Sequence, residues 1–127
     1  MRGETLEYSN VWENPLAKKK VDMTIFKMQA EISKTMAHAL RLAILYRLKE
    51  GEKTVNELAE FLDVSQSNVS QHLALMRQRE IVETRKDGSN IYYRVVSPKI
   101  GQACDMVREV LLEQLNKRKE IAKAYFT

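Results

Sequence analysis

The sequence contains a single cysteine, Cys104, among its 127 residues. A lone cysteine excludes an intrachain disulfide framework and an all-cysteine metal cage within one chain, and it fits a reducing compartment. No apolar run approaches the roughly 18 residues that a membrane-spanning helix needs. The amino terminus also lacks the apolar segment of a signal peptide, since Glu4 and Glu7 follow the initial Met-Arg closely. These absences predict a cytoplasmic protein with no membrane contact.

A strong net charge is missing as well. Lys and Arg number 21 against 17 Asp and Glu, which gives a net charge of +4 and a pI near 9.2. This mild balance permits a polyanionic partner without requiring one, so a nucleic-acid surface must come from the arrangement of side chains. The length indicates one domain.

The residues that enzymes commonly use are sparse. The two histidines, His38 and His72, lie far apart in the sequence, and there is no glycine-rich phosphate loop. No pair of acidic residues is framed by apolar neighbours, as a catalytic acid–base pair often is. We therefore expect a protein that is not an enzyme.

Residues 54–82 carry the clearest helical pattern, and they predict two helices joined by a tight polar corner. Thr54 followed by Glu57 is a capping box, in which the hydroxyl accepts from a free amide and the carboxylate reaches back. Ser65 offers a second N-cap. Apolar residues recur at helical spacing in both helices, first as Val55, Leu58, Ala59 and Leu62, then as Val69, Leu73 and Met76.

The second of these helices has a polar face in its first two turns. Short side chains let a helix approach DNA closely, and they offer donors and acceptors to base edges and phosphates. An ordinary solvated helix face is the alternative interpretation of the same pattern. The polar residues are Gln66, Ser67, Asn68, Ser70 and Gln71.

After Glu80 the apolar period changes from that of a helix to that of a strand. Residues 81–85 and 91–96 predict two strands around a turn at residues 86–90, in which Gly88 can take a positive φ. A β-hairpin therefore follows the helix pair directly. Ser97 and Pro98 then start a last helix, as an N-cap hydroxyl followed by proline at the first helical position.

Two further helices precede the helix pair, at about residues 21–36 and 37–49, and the last helix runs to about residue 121 or beyond. The predicted fold is mainly α with a two-stranded β wing, in the order α-α-α-α-β-β-α. The first and last helices carry full apolar stripes at opposite ends of the chain. We therefore predict a twofold dimer built on residues 21–36 and 98–121.

Residues 1–20 show no regular period, and we expect an irregular N-terminal arm there. Its apolar residues Tyr8, Val11 and Trp12 either pack on a partner surface or belong to a disordered tail. The domain itself is predicted at residues 21–121, followed by a C-terminal tail at residues 122–127.

This order of elements is a winged helix-turn-helix, and the sequence resembles the ArsR/SmtB-type transcriptional repressors over about residues 24–118. Three segments carry the resemblance, KTMAHALRLAIL at 34–45, LAEFLDVSQSNVSQHL at 58–73 and RKDGSNIYYRV at 85–95. The resemblance implies a homodimer that binds an inverted-repeat operator and represses transcription until an effector weakens binding. A winged-helix module that binds proteins and not DNA is the alternative.

The resemblance also implies which residues meet double-stranded DNA. The helix from Ser65 to about Arg79 would enter the major groove. Ser70 and His72 match the family's Ser-x-His pattern; Ser70 is assigned to a phosphate or a base, whereas His72 either contacts DNA or is packed and hydrogen-bonded. Base contacts are implied for Gln66, Ser67, Asn68 and Gln71, and wing contacts to the backbone or minor groove for Arg85, Lys86, Ser89 and Asn90.

One position departs from the family pattern. Relatives often carry glycine between the recognition helix and the wing, where this sequence has Glu80. We expect the helix to continue slightly further here, or to end without a left-handed cap.

The family's known metal sites can be compared by position. One uses Cys-x-Cys on the helix before the recognition helix, where this sequence has Ala59 and Phe61. The other uses ligands on the C-terminal helix, and the matching positions are about Ser97, Lys99, Val110 and Glu113. Only Glu113 could ligate, whereas zinc needs several N, S or O ligands, so we expect no metal and no other cofactor. An unusual site built from paired Cys104, carboxylates and the N-terminal arm is the alternative.

Cys104 lies on the apolar stripe of the last helix, near the start of that helix. A small core residue is the ordinary role for such a cysteine. The alternative is a redox or thiol-reactive sensor, in which two Cys104 side chains meet near the dimer axis. A first-turn position predicts that the helix dipole lowers the pKa of the thiol somewhat.

Overall fold

The computed structural model describes residues 20–126. The chain divides into two compact units between Lys34 and Thr35. Residues 1–19 of the predicted N-terminal arm, with Tyr8, Val11 and Trp12, lie outside the described residues, as does Thr127.

Helix α1 spans Met23–Met36. The carboxylate of Asp22 accepts a hydrogen bond from the backbone amide of Thr24 at 2.9 Å, and this bond lowers the pKa of Asp22. No residue of α1 is buried. Most of its apolar side chains are exposed, among them Ile25, Phe26 and Met28, whereas Met36 at its end is half-buried against the core.

The second unit contains four helices and a two-stranded sheet within the described residues. Together with α1, this order confirms the predicted winged helix-turn-helix. The elements are α2 Ala39–Leu48, α3 Val55–Leu62, α4 Gln66–Gln78, β1 Val82–Asp87, β2 Asn90–Val95 and α5 Pro98–Phe126.

The core of the second unit lies where α2, α3 and α4 meet the start of the wing. The apolar stripe that the sequence predicts for α4 is buried at all three positions, Val69, Leu73 and Met76. Such a stripe at helical spacing places the opposite side of α4 at the surface. The other buried core residues are Ile44, Leu45, Leu48, Leu58, Ala59, Ile81 and Val82.

The predicted caps of the helix pair are confirmed. Thr54 Oγ1 accepts from the Glu57 amide at 3.2 Å, and Glu57 Oε1 accepts from the Thr54 amide at 3.1 Å. The bond from the Thr54 amide is the largest cause of the lowered pKa of Glu57. Asp63 ends α3 in the left-handed conformation with φ of 55°, and Ser65 Oγ then accepts from the Asn68 amide at 3.1 Å to start α4.

The wing turns more tightly than the sequence predicts. The antiparallel register pairs Val82 with Val95 and Asp87 with Asn90, so the turn contains two residues and not five. Gly88 occupies this turn with φ of 62°, a conformation that matches the right-handed twist of the flanking strands. Paired backbone hydrogen bonds between Lys53 and Tyr93, at 2.8 and 3.0 Å, fasten β2 to the segment before α3.

Helix α5 continues through Phe126, so most of the segment predicted as a tail at residues 122–127 is helical. No glycine or proline follows Gly101, and nothing in the sequence ends the helix earlier. Ile100 and Cys104 pack against the core, whereas the later apolar residues Val107, Val110, Leu111, Leu112, Leu115 and Ile121 are exposed. The apolar stripe predicted for this helix is therefore divided between the core and the surface.

A glycine allows the close contact between α5 and the end of α2. Gly101 is buried, and a Cβ there would lie 2.8 Å from Cγ of Lys49. The same lysine places its Nζ 2.6 Å from Oδ2 of Asp105, which also pairs with Arg108. The hydrogen bond from Lys49 is the largest cause of the lowered pKa of Asp105.

The prediction for Glu80 is wrong. The helix ends at Gln78, and Glu80 adopts the left-handed conformation with φ of 58°. The Ile81 amide donates to the Met76 carbonyl at 2.8 Å, so the chain closes the helix end there and turns at once into the buried start of β1. The need to bury Ile81 and Val82 outweighs the backbone preference of glutamate.

Because a side chain at this φ is strained, we expect Glu80→Gly to stabilise the protein by about 1 kcal/mol. Urea unfolding at one fixed protein concentration measures the change, which should move the midpoint and leave the slope unaltered.

The matched control is Glu109→Gly, which makes the same side-chain change in the interior of α5. Glycine inside a helix costs about 1 kcal/mol, so this variant should be less stable. Loss of stability in both variants would show that Glu80 is not strained.

Candidate nucleic-acid interface

The first two turns of α4 present the predicted polar face. Gln66, Ser67, Ser70 and Gln71 are exposed, and Asn68 is half-buried. Because Val69 and Leu73 are buried between them, these polar side chains lie on the side of the helix that faces away from the core. A row of short donors and acceptors on an exposed helix start has the chemistry that base edges require.

Gln66 is held by a residue that the sequence analysis did not select. Its Nε2 donates to Oδ1 of Asn56 at 2.9 Å, which ties the start of α4 to the first turn of α3. This bond fixes the orientation of the Gln66 side-chain amide, and therefore also the directions of its oxygen and its second N–H. Asn56 is also exposed, and it therefore extends the polar surface from α4 onto α3.

His72 occupies a packed position, which is one of the two alternatives left by the sequence. The side chain is half-buried, and its Nδ1 accepts from Nε of Arg41 at 3.1 Å. Burial lowers the pKa of His72, and the charges of His38 and Arg41 lower it further. The ring is thus directed toward α2, whereas Ser70 and Gln71 are exposed beside it.

The predicted DNA-binding residues of the wing differ in whether their side chains have partners within the fold. Arg85 forms two hydrogen bonds with Glu52, from Nε at 3.1 Å and from Nη2 at 2.5 Å, and its guanidinium lies 4.7 Å from the ring centroid of Tyr92. The bond with Arg85 is the largest cause of the lowered pKa of Glu52. The phosphate contact predicted for Arg85 would use guanidinium N–H groups that do not bond to Glu52, since arginine has five such donors and this pair uses two. Lys86, Ser89 and Asn90 are exposed at the tip of the wing.

An open groove separates α4 from β2. Gln71 belongs to the predicted interface, whereas the other lining residues were not selected from the sequence. Four of them are exposed on the later turns of α4, and the fifth, Tyr93, is half-buried on β2, so the groove depends on how the wing packs beside the helix. The lining residues are Gln71, Ala74, Leu75, Arg77, Gln78 and Tyr93.

The two positions compared with the Cys-x-Cys metal site have ordinary roles. Ala59 is buried in the core, and the Phe61 ring lies under the Arg47 guanidinium at 4.8 Å. Within residues 20–126, no group of three or more His, Cys, Asp or Glu side chains is placed to hold a metal ion. The same residues include no helix long and apolar enough to cross a membrane.

The prediction that the pKa of Cys104 is lowered is wrong. The residue lies in the second turn of α5 and is half-buried against the core. Burial raises the pKa of the thiol, and the nearby charge of Arg108 opposes this effect. A raised pKa leaves less thiolate, so this environment suits a packed residue better than a reactive one.

The comparisons with known proteins agree with this geometry. The profile described as bacterial regulatory protein, arsR family, matches residues 38–84. The HTH-type transcriptional regulator Rv0081 of Mycobacterium tuberculosis is 35% identical over 95 residues, which cover 74% of this chain and 83% of that protein. Its crystal structure matches with a TM-score of 0.68 and 34% identity, over 76% of this chain and 98% of that chain.

Two other relatives extend the comparison. The biofilm growth-associated repressor of Xylella fastidiosa is 34% identical over 85 residues, covering 67% of this chain and 75% of that protein. The solution structure of the homodimeric winged helix-turn-helix DNA-binding domain Mb0332 of Mycobacterium bovis has a TM-score of 0.68 and 26% identity, over 77% of this chain and 93% of that chain.

Fold and surface together define a winged helix-turn-helix regulator. The chain belongs to the arsR family of bacterial regulatory proteins. This result confirms the interpretation as a DNA-binding transcriptional regulator over the alternative of a protein-binding winged helix.

Two roles of Arg85 can be distinguished by experiment: it stabilises the wing through its bonds to Glu52, or it binds phosphate. We expect Arg85→Ala and Glu52→Ala each to speed hydrogen exchange of the β1 and β2 amides, because both remove the side-chain link to the segment before α3. Since the pKa of Glu52 is lowered, this link is present above the ordinary pKa of glutamate. It is lost as the pH falls through the lowered value.

Lys86→Ala serves as the control, because it removes a neighbouring exposed cation and should leave amide exchange unchanged. Unchanged exchange in the Arg85 and Glu52 variants, with weaker DNA binding for Arg85→Ala alone, would favour the phosphate role.

Proposed function

We propose that this protein is a homodimeric, sequence-specific DNA-binding repressor that an effector releases from its operator. The observation that carries the proposal is the exposed polar start of α4, oriented outward by the buried Val69, Leu73 and Met76. In this proposal Gln66, Ser67 and Gln71 read bases, and Ser70 contacts a base or phosphate. The wing tip, with Lys86, Ser89 and Asn90, follows the backbone.

Exposed apolar side chains support the homodimer. On α5, Val107 is 72% exposed and Leu112 57%, and α1 has a similar row that includes Met23 and Met28. Apolar rows of this length on terminal helices are usually covered by a partner. The homodimeric Mb0332 domain has the same winged fold. A twofold pair places two recognition helices on one inverted-repeat operator.

Repression is proposed from the relatives and not from a contact in this chain. The Xylella fastidiosa relative is named a repressor. A dimer that covers its operator can block transcription without an enzymatic step, and no cofactor enters the proposal. The effector of this proposal is a thiol reagent that acts at Cys104, a metal ion at an unusual site, or a small molecule.

Base reading and phosphate contact predict different consequences of mutation. We expect Gln71→Ala to relax preference at one base position by about 1–3 kcal/mol, because a side chain that pairs with a base edge is removed. Lys86→Ala should weaken binding to all duplexes alike and reduce the salt slope by about 1 per subunit. Anisotropy titrations use a duplex selected from a random library and its single-base variants.

Gln114→Ala makes the same side-chain change as Gln71→Ala at an exposed site on α5, and it should leave base preference unaltered. The reverse pattern, uniform weakening by Gln71→Ala and altered preference by Lys86→Ala, would mean that the groove assignment is wrong.

The dimer is tested by placing a charge within the exposed apolar row of α5. Leu111 is 49% exposed, so Leu111→Glu should leave the fold of the subunit intact. Burying an unpaired carboxylate in a dimer interface should weaken association by about 100-fold or more, and operator affinity should fall with it. Sedimentation equilibrium measures the dissociation constant.

Gln102→Glu adds the same charge on the opposite face of α5, at an exposed position that is polar already, and it should dimerise as the unmodified protein does. An unchanged dimer in Leu111→Glu would place the interface elsewhere.

A further inference from the structure

The only two histidines of the sequence, His38 and His72, contact each other in the fold. Their ring centroids are 4.5 Å apart and the ring planes are tilted by 47°. His38 precedes α2, and His72 lies in α4, one residue after Gln71. The contact therefore joins the start of α2 to the helix proposed to enter the major groove.

Both imidazoles use Nδ1 as a hydrogen-bond acceptor. Nδ1 of His38 accepts from the Leu40 amide at 3.2 Å, which makes His38 the N-cap of α2. Nδ1 of His72 accepts from Nε of Arg41 at 3.1 Å. A ring nitrogen can accept only when it carries no proton, so this arrangement requires two neutral imidazoles with the proton on Nε2.

Arg41 fixes the other side of this cluster. Its Nη1 donates to the Thr35 carbonyl at 2.9 Å, while its Nε donates to His72. One guanidinium thus connects the segment before α2 with the ring on α4. Arginine has a planar set of donors and no acceptor, so it holds the His72 ring in one orientation.

We propose that Arg41 and His38 are positioning residues for DNA reading, which hold α4 through the neutral His72 ring and keep Gln71 at its base-reading angle. This inference rests on the proposed function. It adds that sequence discrimination depends on the charge state of the His72 imidazole, which faces Arg41.

A proton on Nδ1 of His72 would face an N–H group of Arg41, and a proton on Nδ1 of His38 would face the amide of Leu40. Each replaces an attraction with a repulsion, and His38 also stands at the positive end of the α2 dipole. The charged groups that act on His72 from the neighbouring element are His38 and Arg41. Both, together with burial as the largest cause, lower the pKa of His72.

Acid should therefore have opposite effects on two kinds of binding. Added protons make the protein more positive, which strengthens attachment to any duplex. Loss of the His72–Arg41 bond releases α4 and weakens recognition of the preferred sequence. The ratio of affinities for a library-selected duplex and its scrambled version isolates the second effect.

The experiment measures this ratio at about pH 8 and about pH 5.5, a range in which histidine is the main titrating side chain. For the unmodified protein we expect the ratio to fall by about tenfold or more in acid. In the double variant His38→Asn, His72→Asn, the amide oxygens keep acceptors near the Nδ1 positions and no histidine remains. Its ratio should change by less than about twofold. In His72→Leu, without an acceptor, the ratio should be low at both pH values.

A ratio independent of pH in the unmodified protein would overturn the inference, as would an equal fall in the double variant. Imidazole ¹⁵N spectra of the DNA-free protein at about pH 8 provide a test that needs no variant. Both rings should carry the proton on Nε2, and a proton on Nδ1 of His72 overturns the inference whatever the DNA result. Equal affinity for the selected and scrambled duplexes at about pH 8 would contradict the proposed function itself, and the inference with it.

Discussion

Burial of Val69, Leu73 and Met76 decides the orientation of α4, and the rest of the interface depends on it. A fully buried aliphatic side chain contributes about 1.5–3 kcal/mol, more than a typical exposed polar contact. Three of them on one stripe therefore outweigh the polar contacts of the same helix. Rolling α4 enough to bury Gln71 would bring Leu73 to the surface. The core thus selects which polar side chains of α4 face outward.

Side-chain hydrogen bonds then fix the orientation of several polar residues at the candidate interface. Gln66 is bonded to Asn56, His72 to Arg41, and Arg85 to Glu52, so three side chains assigned to DNA from the sequence have partners within the fold. Such surface bonds add little stability, but they restrict rotamers before DNA arrives. Ser67, Ser70 and Gln71 are exposed between these fixed points. The interface accordingly combines pre-oriented residues with exposed donors and acceptors.

What the sequence predicts well is what depends on near neighbours. The capping box needs only Thr54 and Glu57, and the order of elements follows from apolar periods and turn residues. The partners of Gln66 and Arg85 lie 10 and 33 positions away, so no local spacing indicates them. The same limit explains the error at Glu80, where burial of the next two residues imposes the backbone. It also explains the pKa of Cys104, which depends on how deeply α5 packs.

Helix α5 belongs both to the core and to the surface that the proposed dimer would cover. Its first turns are fixed by Ile100 and Cys104 against the core and by Lys49 over Gly101. Beyond Arg108 the helix continues for a further 18 residues to Phe126, about 27 Å at 1.5 Å per residue. A small tilt at the packed end is therefore enlarged along the exposed part. Because Cys104 packs at this end, a change in the size or charge of its side chain would alter the tilt of α5, and the exposed end of the helix would move furthest.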